Sequence, residues 1–506
     1  MTPSRFFLSF FLLVAPLAAA LRLASPFTDH AVLQREQPVP VWGWAEPGAN
    51  VTVTFGGQTK TAVATAPDGL WRVTLDPLAA SAEPSLLEIV AGAERLTLTD
   101  VLVGEVWLTS GQSNMVFTLS KSRYRWAGVI NEEAEIAAAD FPLIRMFTAG
   151  DQKAYEPQAT VPGAWQPCTP ANAPAWSAIG YFFARELHRE LGGVPVGVIT
   201  SAFGASCAQA WIRREVMQDD PAFKAVLDRF DEQVRGHTEP TADELADWER
   251  AVELAKAEKR RAPRRPGQDP VQDQHNPTVM FNGMIAPLVP YAVRGFLWYQ
   301  GESITQPREL FPRWNERLIT DWRALWGDDE KPFLFCQLAA LANNSNSPQV
   351  RAWQAEALRL PGTGMAVTID VGDEKDVHPH DKAPVGRRLA LLALNRAHGF
   401  TVADSGPVAS RASATAEGAV RIEFTHLAGG LASRGGPPQT FELAGEDGRF
   451  SAAEAVIEGS CVIVRAAAVP SPVTVRYAWA SYPVGCNLFN YADLPAAPFL
   501  LAISRP

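Results

Sequence analysis

Cysteine is scarce in this 506-residue chain: Cys168, Cys207, Cys336, Cys461 and Cys486 lie far apart and are odd in number. A dense disulfide framework is therefore excluded at this size, and the lack of any Cys-x-x-Cys pair removes the usual thiolate spacing for zinc. One or two bridges remain open. Positive charge is also in short supply, with 45 Lys and Arg against 55 Asp and Glu and a net charge of -10. Phosphate backbones need a basic surface, so nucleic acid is excluded as a partner. Beyond the N-terminus no apolar run is long enough to span a bilayer, so no membrane span is expected in the mature chain.

What the chain does have is an ordinary globular balance, 47% hydrophobic and 20% charged. Its length exceeds what one core can organise, so roughly two to four domains are expected. Fifteen Trp and 40 Pro fit many β segments and loops. The first twenty residues, MTPSRFFLSFFLLVAPLAAA, read as a signal peptide. Arg5 supplies the positive start, Phe6 to Val14 the short apolar core, and Ala18 to Ala20 the small-residue cleavage site. The mature chain is then expected to begin near Leu21 and to be exported, periplasmic or extracellular.

Residues 21–100 alternate β-branched or aromatic residues with polar ones, punctuated by Pro-Gly, Gly-Gly and Asp-Gly, which predicts a small antiparallel β-domain. The grammar changes near residue 101. VLVGEVWLTS (101–110), VPVGVITS (194–201), VRGFLWYQ (293–300), PFLFCQLA (332–339) and GMAVTID (364–370) are nearly continuous apolar runs. Strands buried on both faces of a parallel sheet read this way. Helical patterns alternate with them. One has its apolar stripe at Ile179, Phe182, Phe183, Leu187 and Leu191; another opens at Pro384 and closes at Gly399, the proline-first, glycine-last order of a helix. Residues 101–400 therefore predict an α/β domain with a doubly wound parallel sheet, interrupted over about 212–276 by a charged helical excursion. Residues 401–506 turn β-rich again.

In open α/β sheets ligands bind beyond the carboxyl ends of the strands. After four of the apolar runs come Gly111-Gln112-Ser113-Asn114, Phe203-Gly204-Ala205-Ser206, Gln300-Gly301-Glu302-Ser303 and Asp373-Glu374-Lys375-Asp376-Val377-His378. A lone Gly-x-Ser is usually a turn, and a lone histidine after a strand is usually a surface residue. The conjunction in one chain order is the parts list for acyl transfer. Ser113 is the candidate nucleophile and His378 its base, since a hydroxyl is a weak nucleophile until an imidazole takes its proton. Asp376, close by, is the candidate partner of the imidazole. The backbone N–H groups of Ser113 and Gly204 and the side-chain amide of Gln300 are the expected oxyanion donors. Arg351 and Arg294 are candidate binders of a substrate carboxylate, equally able to form structural ion pairs.

The segments GEVWLTSGQSNM, GVITSAFGAS, FNGMIAPLVPYAVRGFLWYQGES and DVHPHDK resemble the sialate O-acetylesterase family, a branch of the GDSL/SGNH-type esterases. SPFTDHAVLQREQPVPVWGWAEPG and YAWASYPVGCNLFNYADLPAAPF extend the resemblance to nearly the whole mature chain. It implies an SGNH-type α/β/α domain with accessory β structure and a serine esterase removing acetyl groups from sugar hydroxyls, sialic acid first, with xylan or another polysaccharide as the alternative. It also implies Ser113 as nucleophile, His378 as base, oxyanion donors from Gly204 and the WYQGES block, and neither metal nor organic cofactor.

The chain departs from the pattern twice. Asp376-Val377-His378 is Asp-x-His where the wider superfamily uses Asp-x-x-His, so Asp373 and Asp370 stay open as partners. Phe-Gly-Ala-Ser stands where many relatives carry Trp-Gly-Gly-Thr. Two other readings are a carbohydrate-binding protein on an inactive esterase scaffold, and metal-dependent hydrolysis through His378, His380 and Asp381.

Overall fold

The change of grammar near residue 101 falls inside a single strand. In the computed structural model, which describes residues 20–305, 307–342 and 347–504, one 18-residue strand runs from Glu94 to Gly111. Its residues up to Asp100 alternate towards solvent, and every residue from Val101 onward is buried. The first half pairs antiparallel with Ser81–Ala91, in a sheet with one wet face. The second half is flanked by parallel neighbours on both sides, in a sheet covered on both faces. The leader expected over residues 1–20 lies outside the described residues but for Ala20.

The covered sheet has the order Trp165–Cys168, Phe141–Thr148, Val196–Ala202, Glu94–Gly111, Gly295–Tyr299, Phe333–Cys336, Thr363–Ala366. All neighbours are parallel except the edge strand Trp165–Cys168. From the central strand the chain first builds to one side and then to the other. That reversal opens a crevice at the carboxyl end of the central strand. Register places the crevice with single-residue accuracy: Ala202 on one side and Tyr299 on the other both pair with Gly111.

Alternate residues of each strand feed two separate cores. Phe296 and Trp298 join Trp314, Leu318 and Trp322 on one face; Leu297 and Tyr299 join Ile179, Phe183, Leu187 and Leu389 on the other. The second face is covered by the helices Ala178–Glu190 and Ala383–His398. They cross closely enough that a side chain at Gly386 would sit 2.5 Å from Phe182 Cβ. The latter helix carries Pro384 in its first turn and stops at Gly399, whose φ of +69° is left-handed, as the sequence predicts.

The charged excursion forms the helices Pro221–Arg235 and Ala242–Ala257. The second opens with a reciprocal Thr241–Glu244 cap and buries only Ala255, so it stands as a solvated ridge. Towards the C-terminus an eight-stranded sheet with its own core follows. All five cysteines are free thiols, which closes the question of bridges: the fold is held by packing. Among the described residues no helix is long and apolar enough to cross a membrane.

Gly111 is a tight point in this arrangement. Its φ is +132°, and a Cβ there would lie 2.1 Å from the Tyr299 carbonyl oxygen. No side chain fits without parting the two central strands. Gly111→Ala is expected to cost about 3 kcal/mol or more, or to prevent folding, as read by urea denaturation.

Candidate active site

Beyond Gly111 the chain turns sharply because two neighbours hold it. The Gln112 N–H donates to the Tyr299 carbonyl at 2.9 Å, and its side-chain oxygen accepts from the N–H groups of Gly301 and Ser303, both at 3.2 Å. Ser113 then opens a one-turn helix, Ser113–Val116. The Ser177 hydroxyl, which caps the next long helix, donates to the Met115 carbonyl at 2.7 Å. The serine at the end of a buried strand is thus held at the sheet's edge.

Two hundred and sixty-five positions away in sequence, His378 meets it. Its Nε2 is 2.8 Å from Ser113 Oγ, a distance suited to proton transfer. Trp126 packs along the imidazole, ring centres 4.3 Å apart, and Tyr124 stacks on Trp126 at 5.1 Å. Burial under these rings lowers the His378 pKa below the usual 6.5; Asp376 opposes the shift, while Lys382 and His380 add to it. A neutral imidazole is the form that can accept a proton.

The three candidate aspartates separate cleanly. Asp370 is locked in a bidentate pair with Arg388, both contacts 2.7 Å. Asp373 caps its own turn through the N–H groups of Lys375 and Asp376. Asp376 alone faces the imidazole, with Oδ1 3.7 Å from Nδ1. That is an electrostatic contact, longer than a hydrogen bond. The same oxygen accepts from the His378 backbone N–H at 2.8 Å, so the aspartate also shapes the loop. His380 donates from Nδ1 to the Gly128 carbonyl, and its Nε2 lies 3.5 Å from Asp376 Oδ2. Asp376 thus lies between the two imidazoles, and among the described residues no group of three or more His, Cys, Asp or Glu side chains is placed to hold a metal ion.

Gly204 lies across from the serine: a Cβ built on it would be 3.9 Å from Ser113 Cβ. Ala205 follows with a left-handed φ of +56°, a conformation natural to glycine and strained for alanine. Ser206 then anchors the loop, donating to the Phe203 carbonyl at 2.8 Å and accepting from the Trp211 indole at 2.9 Å.

Three expected roles need correction. The Gln300 amide donates to the carbonyls of Ser303 at 2.6 Å and Ser206 at 3.3 Å; buried carbonyls claim both contacts, so it braces the Gly204 loop and is not an oxyanion donor. Arg351 is fully buried and donates to four backbone carbonyls, those of Leu338, Ala339, Ala480 and Ser481, at 2.8–2.9 Å. It staples the sheet to the C-terminal segment, and burial pulls its pKa down to about 10. Arg294 pairs with Glu105 at 2.9 Å and Glu36 at 3.2 Å, just ahead of Gly295 at the opposite end of the sheet. Neither arginine is free to bind a substrate carboxylate.

Other residues at the site carried no role in the sequence reading: Trp126 and Tyr124 beside the imidazole, and Asn114, Glu302 and Lys382 behind the serine. The last three sit inside motifs that the sequence displays, but their mutual contact joins positions 114, 302 and 382 and is visible only in three dimensions.

Comparison with known proteins bears on this geometry. Residues 275–395 match the profile of a family described as carbohydrate esterase, sialic acid-specific acetylesterase. A carbohydrate acetylesterase from Xanthomonas citri is 36% identical, covers 95% of this chain and 99% of its own, and superposes with a TM-score of 0.80. The chain belongs to this carbohydrate esterase family. Its members hydrolyse carboxylic esters, and so this chain is an esterase. Sialate O-acetylesterases of Mus musculus and Homo sapiens are 28% and 26% identical, each alignment covering 96% of this chain and 95% and 93% of theirs. The profile match takes in Gln300–Ser303 and Asp376–Lys382, while Ser113 and Gly204 precede it.

Two substitutions test the local readings. Ala205→Gly relieves a left-handed alanine at the expense of chain entropy, and is expected to be neutral or stabilising by up to about 1 kcal/mol, with activity retained. Arg351→Met removes a buried side chain that donates to four backbone carbonyls and is expected to lower the thermal midpoint sharply, whereas a carboxylate binder would raise KM with stability unchanged.

Proposed function

We propose that this esterase removes O-acetyl groups from sugars through Ser113 and His378. The observation that carries the reading is the 2.8 Å approach of His378 Nε2 to Ser113 Oγ, with Gly204 close to the serine. In this scheme Ser113 Oγ attacks the acetyl carbonyl carbon and Nε2 takes the hydroxyl proton. The negative charge that develops on the carbonyl oxygen is met by the backbone N–H groups of Ser113 and Gly204. Fixed donors of that kind act without reorganisation and each contributes about a hundredfold or more. The tetrahedral adduct collapses, the C–O bond to the sugar breaks, and His378 returns its proton to the departing sugar oxygen. Water, deprotonated by the same imidazole, then attacks the acetyl-serine and releases acetate.

Asp376 supports the imidazolium electrostatically at 3.7 Å. Its replacement is expected to cost less than loss of serine or histidine, because no hydrogen bond to the ring is removed. The doubly wound sheet with its site at the strand reversal suits an SGNH-type α/β/α domain flanked by accessory β-structure, the arrangement we adopt here. The sugar is an O-acetylated sialic acid by analogy with the mammalian relatives, whose names carry that substrate. The expected leader would carry the enzyme out of the cytoplasm to meet it.

The test is acetate release from acetylated sialic acid, acetylated xylan and 4-nitrophenyl acetate by the parent, Ser113→Ala and His378→Ala. Both variants are expected to lose at least about a thousandfold in kcat; parental activity in either would overturn the mechanism. The pH profile has a definite sign. Because burial lowers the His378 pKa, the base stays neutral further into acid, so the acid limb of kcat/KM should fall below pH 6.5, and a limb well above that value would contradict the burial argument.

A further inference from the structure

Next to Ser113 in the chain begins a set of buried polar groups that the scheme above does not use. Asn114 is completely buried and Lys382 is 1% exposed. The Lys382 ammonium donates to Asn114 Oδ1 at 2.6 Å. Asn114 Nδ2 donates in turn to Glu302 Oε1 at 2.5 Å and to the Val377 carbonyl at 3.0 Å. Lys382 also lies over the rings of Phe117 and Tyr299, 4.5 and 6.0 Å from their centres. The other oxygen of Glu302 is buried without a hydrogen-bond partner.

The chain positions of these groups give the contact its meaning. Asn114 is the residue after the nucleophile, Val377 is the residue before the base, and Glu302 lies on the turn after the neighbouring strand. Lys382 immediately precedes the helix Ala383–His398. One amide therefore joins the segment carrying Ser113 to the segment carrying His378. It uses an acceptor and donors at once, and only a short primary amide does all of this. Aspartate in its place would face Glu302 with like charge and could not donate to Val377.

We propose that Lys382, Asn114 and Glu302 form one buried relay whose task is to position His378 against Ser113, with Asn114 as the positioning residue and the two charged side chains holding its amide the right way round. The proposal rests on Ser113 and His378 being nucleophile and base. It assigns the relay no contact with the substrate, so its loss should appear in kcat and leave KM nearly unchanged.

A second consequence concerns charge. His378 is faced by Asp376, by Lys382 and by His380, with the neutral ring of Trp126 over it. Lys382 is itself faced by Glu302, Cys336, Asp376 and Asp381. An ammonium near the imidazole disfavours its protonated form, so removing that ammonium moves the acid limb of the pH profile upward. A side chain that merely filled space would not move it.

The experiment uses the full chain, 4-nitrophenyl acetate and the variants Asn114→Asp, Lys382→Met, Glu302→Ala and Glu302→Gln, with thermal midpoints measured alongside. Asn114→Asp is expected to lose about a hundredfold in kcat, the scale of a misplacement near 1 Å, with KM within threefold. Lys382→Met should lower kcat and shift the acid limb up. Glu302→Gln keeps an oxygen acceptor for Asn114 and should restore most of what Glu302→Ala loses. Folded Asn114→Asp and Lys382→Met proteins with parental kcat would overturn the proposal. If Asn114→Asp does not fold, Lys382→Met decides: an unmoved acid limb with parental kcat is the overturning result. Failure of the underlying reading looks different, since Ser113→Ala or His378→Ala would then remain active.

Discussion

Three strand ends have to stop at one level for this site to exist, and Gly111 is where they do. Its backbone passes so close to Tyr299 that no Cβ is accommodated, and both neighbouring strands are registered on it. Two residues beyond each of those aligned ends come Ser113, Gly204 and Gly301. Because the strand period is fixed, a slip of one residue in either neighbour would exchange the two core faces and carry the Gly204 loop out of reach of the serine. The two separate cores that take alternate residues of each strand are what prevent such a slip. Packing over the whole sheet is thereby converted into the placement of a few atoms at one edge.

The backbone framework was legible because its signals are local or periodic. Continuous apolar runs marked five of the seven covered strands, missing Phe141–Thr148 and Trp165–Cys168 at one side of the sheet; Pro384 and Gly399 bracketed a helix, and polar clusters after the runs marked the edge where Ser113 and His378 meet. Side-chain roles that depend on what lies opposite were not legible. Arg351 and Arg294 carry the same charge and shape whether they meet a substrate carboxylate, four backbone carbonyls or a buried glutamate. Only the fold distinguishes these. Gln300 was misread for a related reason: it stands on the right turn, two residues from Glu302, but its amide is consumed by the carbonyls of Ser206 and Ser303. The Asp-x-His spacing left three aspartates open, and they separate because Arg388 claims Asp370 and a tight turn claims Asp373.

Ala205 shows how a departure in sequence is absorbed. The loop demands a left-handed residue after Gly204, and alanine meets the demand with strain on the order of 1 kcal/mol. The loop keeps its path because Ser206 and Trp211 fasten it on one side and Gln300 on the other. A rigid frame holding a strained residue at a reacting centre is a common arrangement where backbone N–H groups must point at one position.

Burying an ammonium and a carboxylate beside the serine is poor economy if stability is the only criterion, since desolvation commonly exceeds the attraction recovered. Burial draws the Lys382 pKa down to about 7 and raises that of Glu302, the signature of groups held where their charged forms are disfavoured. An apolar trio of the same volume would pack there more cheaply. It could not hold an amide in one of its two orientations, and the orientation decides whether Asn114 offers Val377 a donor or a second oxygen. With the donor in place, the backbone one residue before His378 is tied to the side chain of the residue after Ser113. The imidazole then has little freedom to leave the hydroxyl. Specificity of orientation, bought with stability, is the physical reason a polar group belongs at this point in the core.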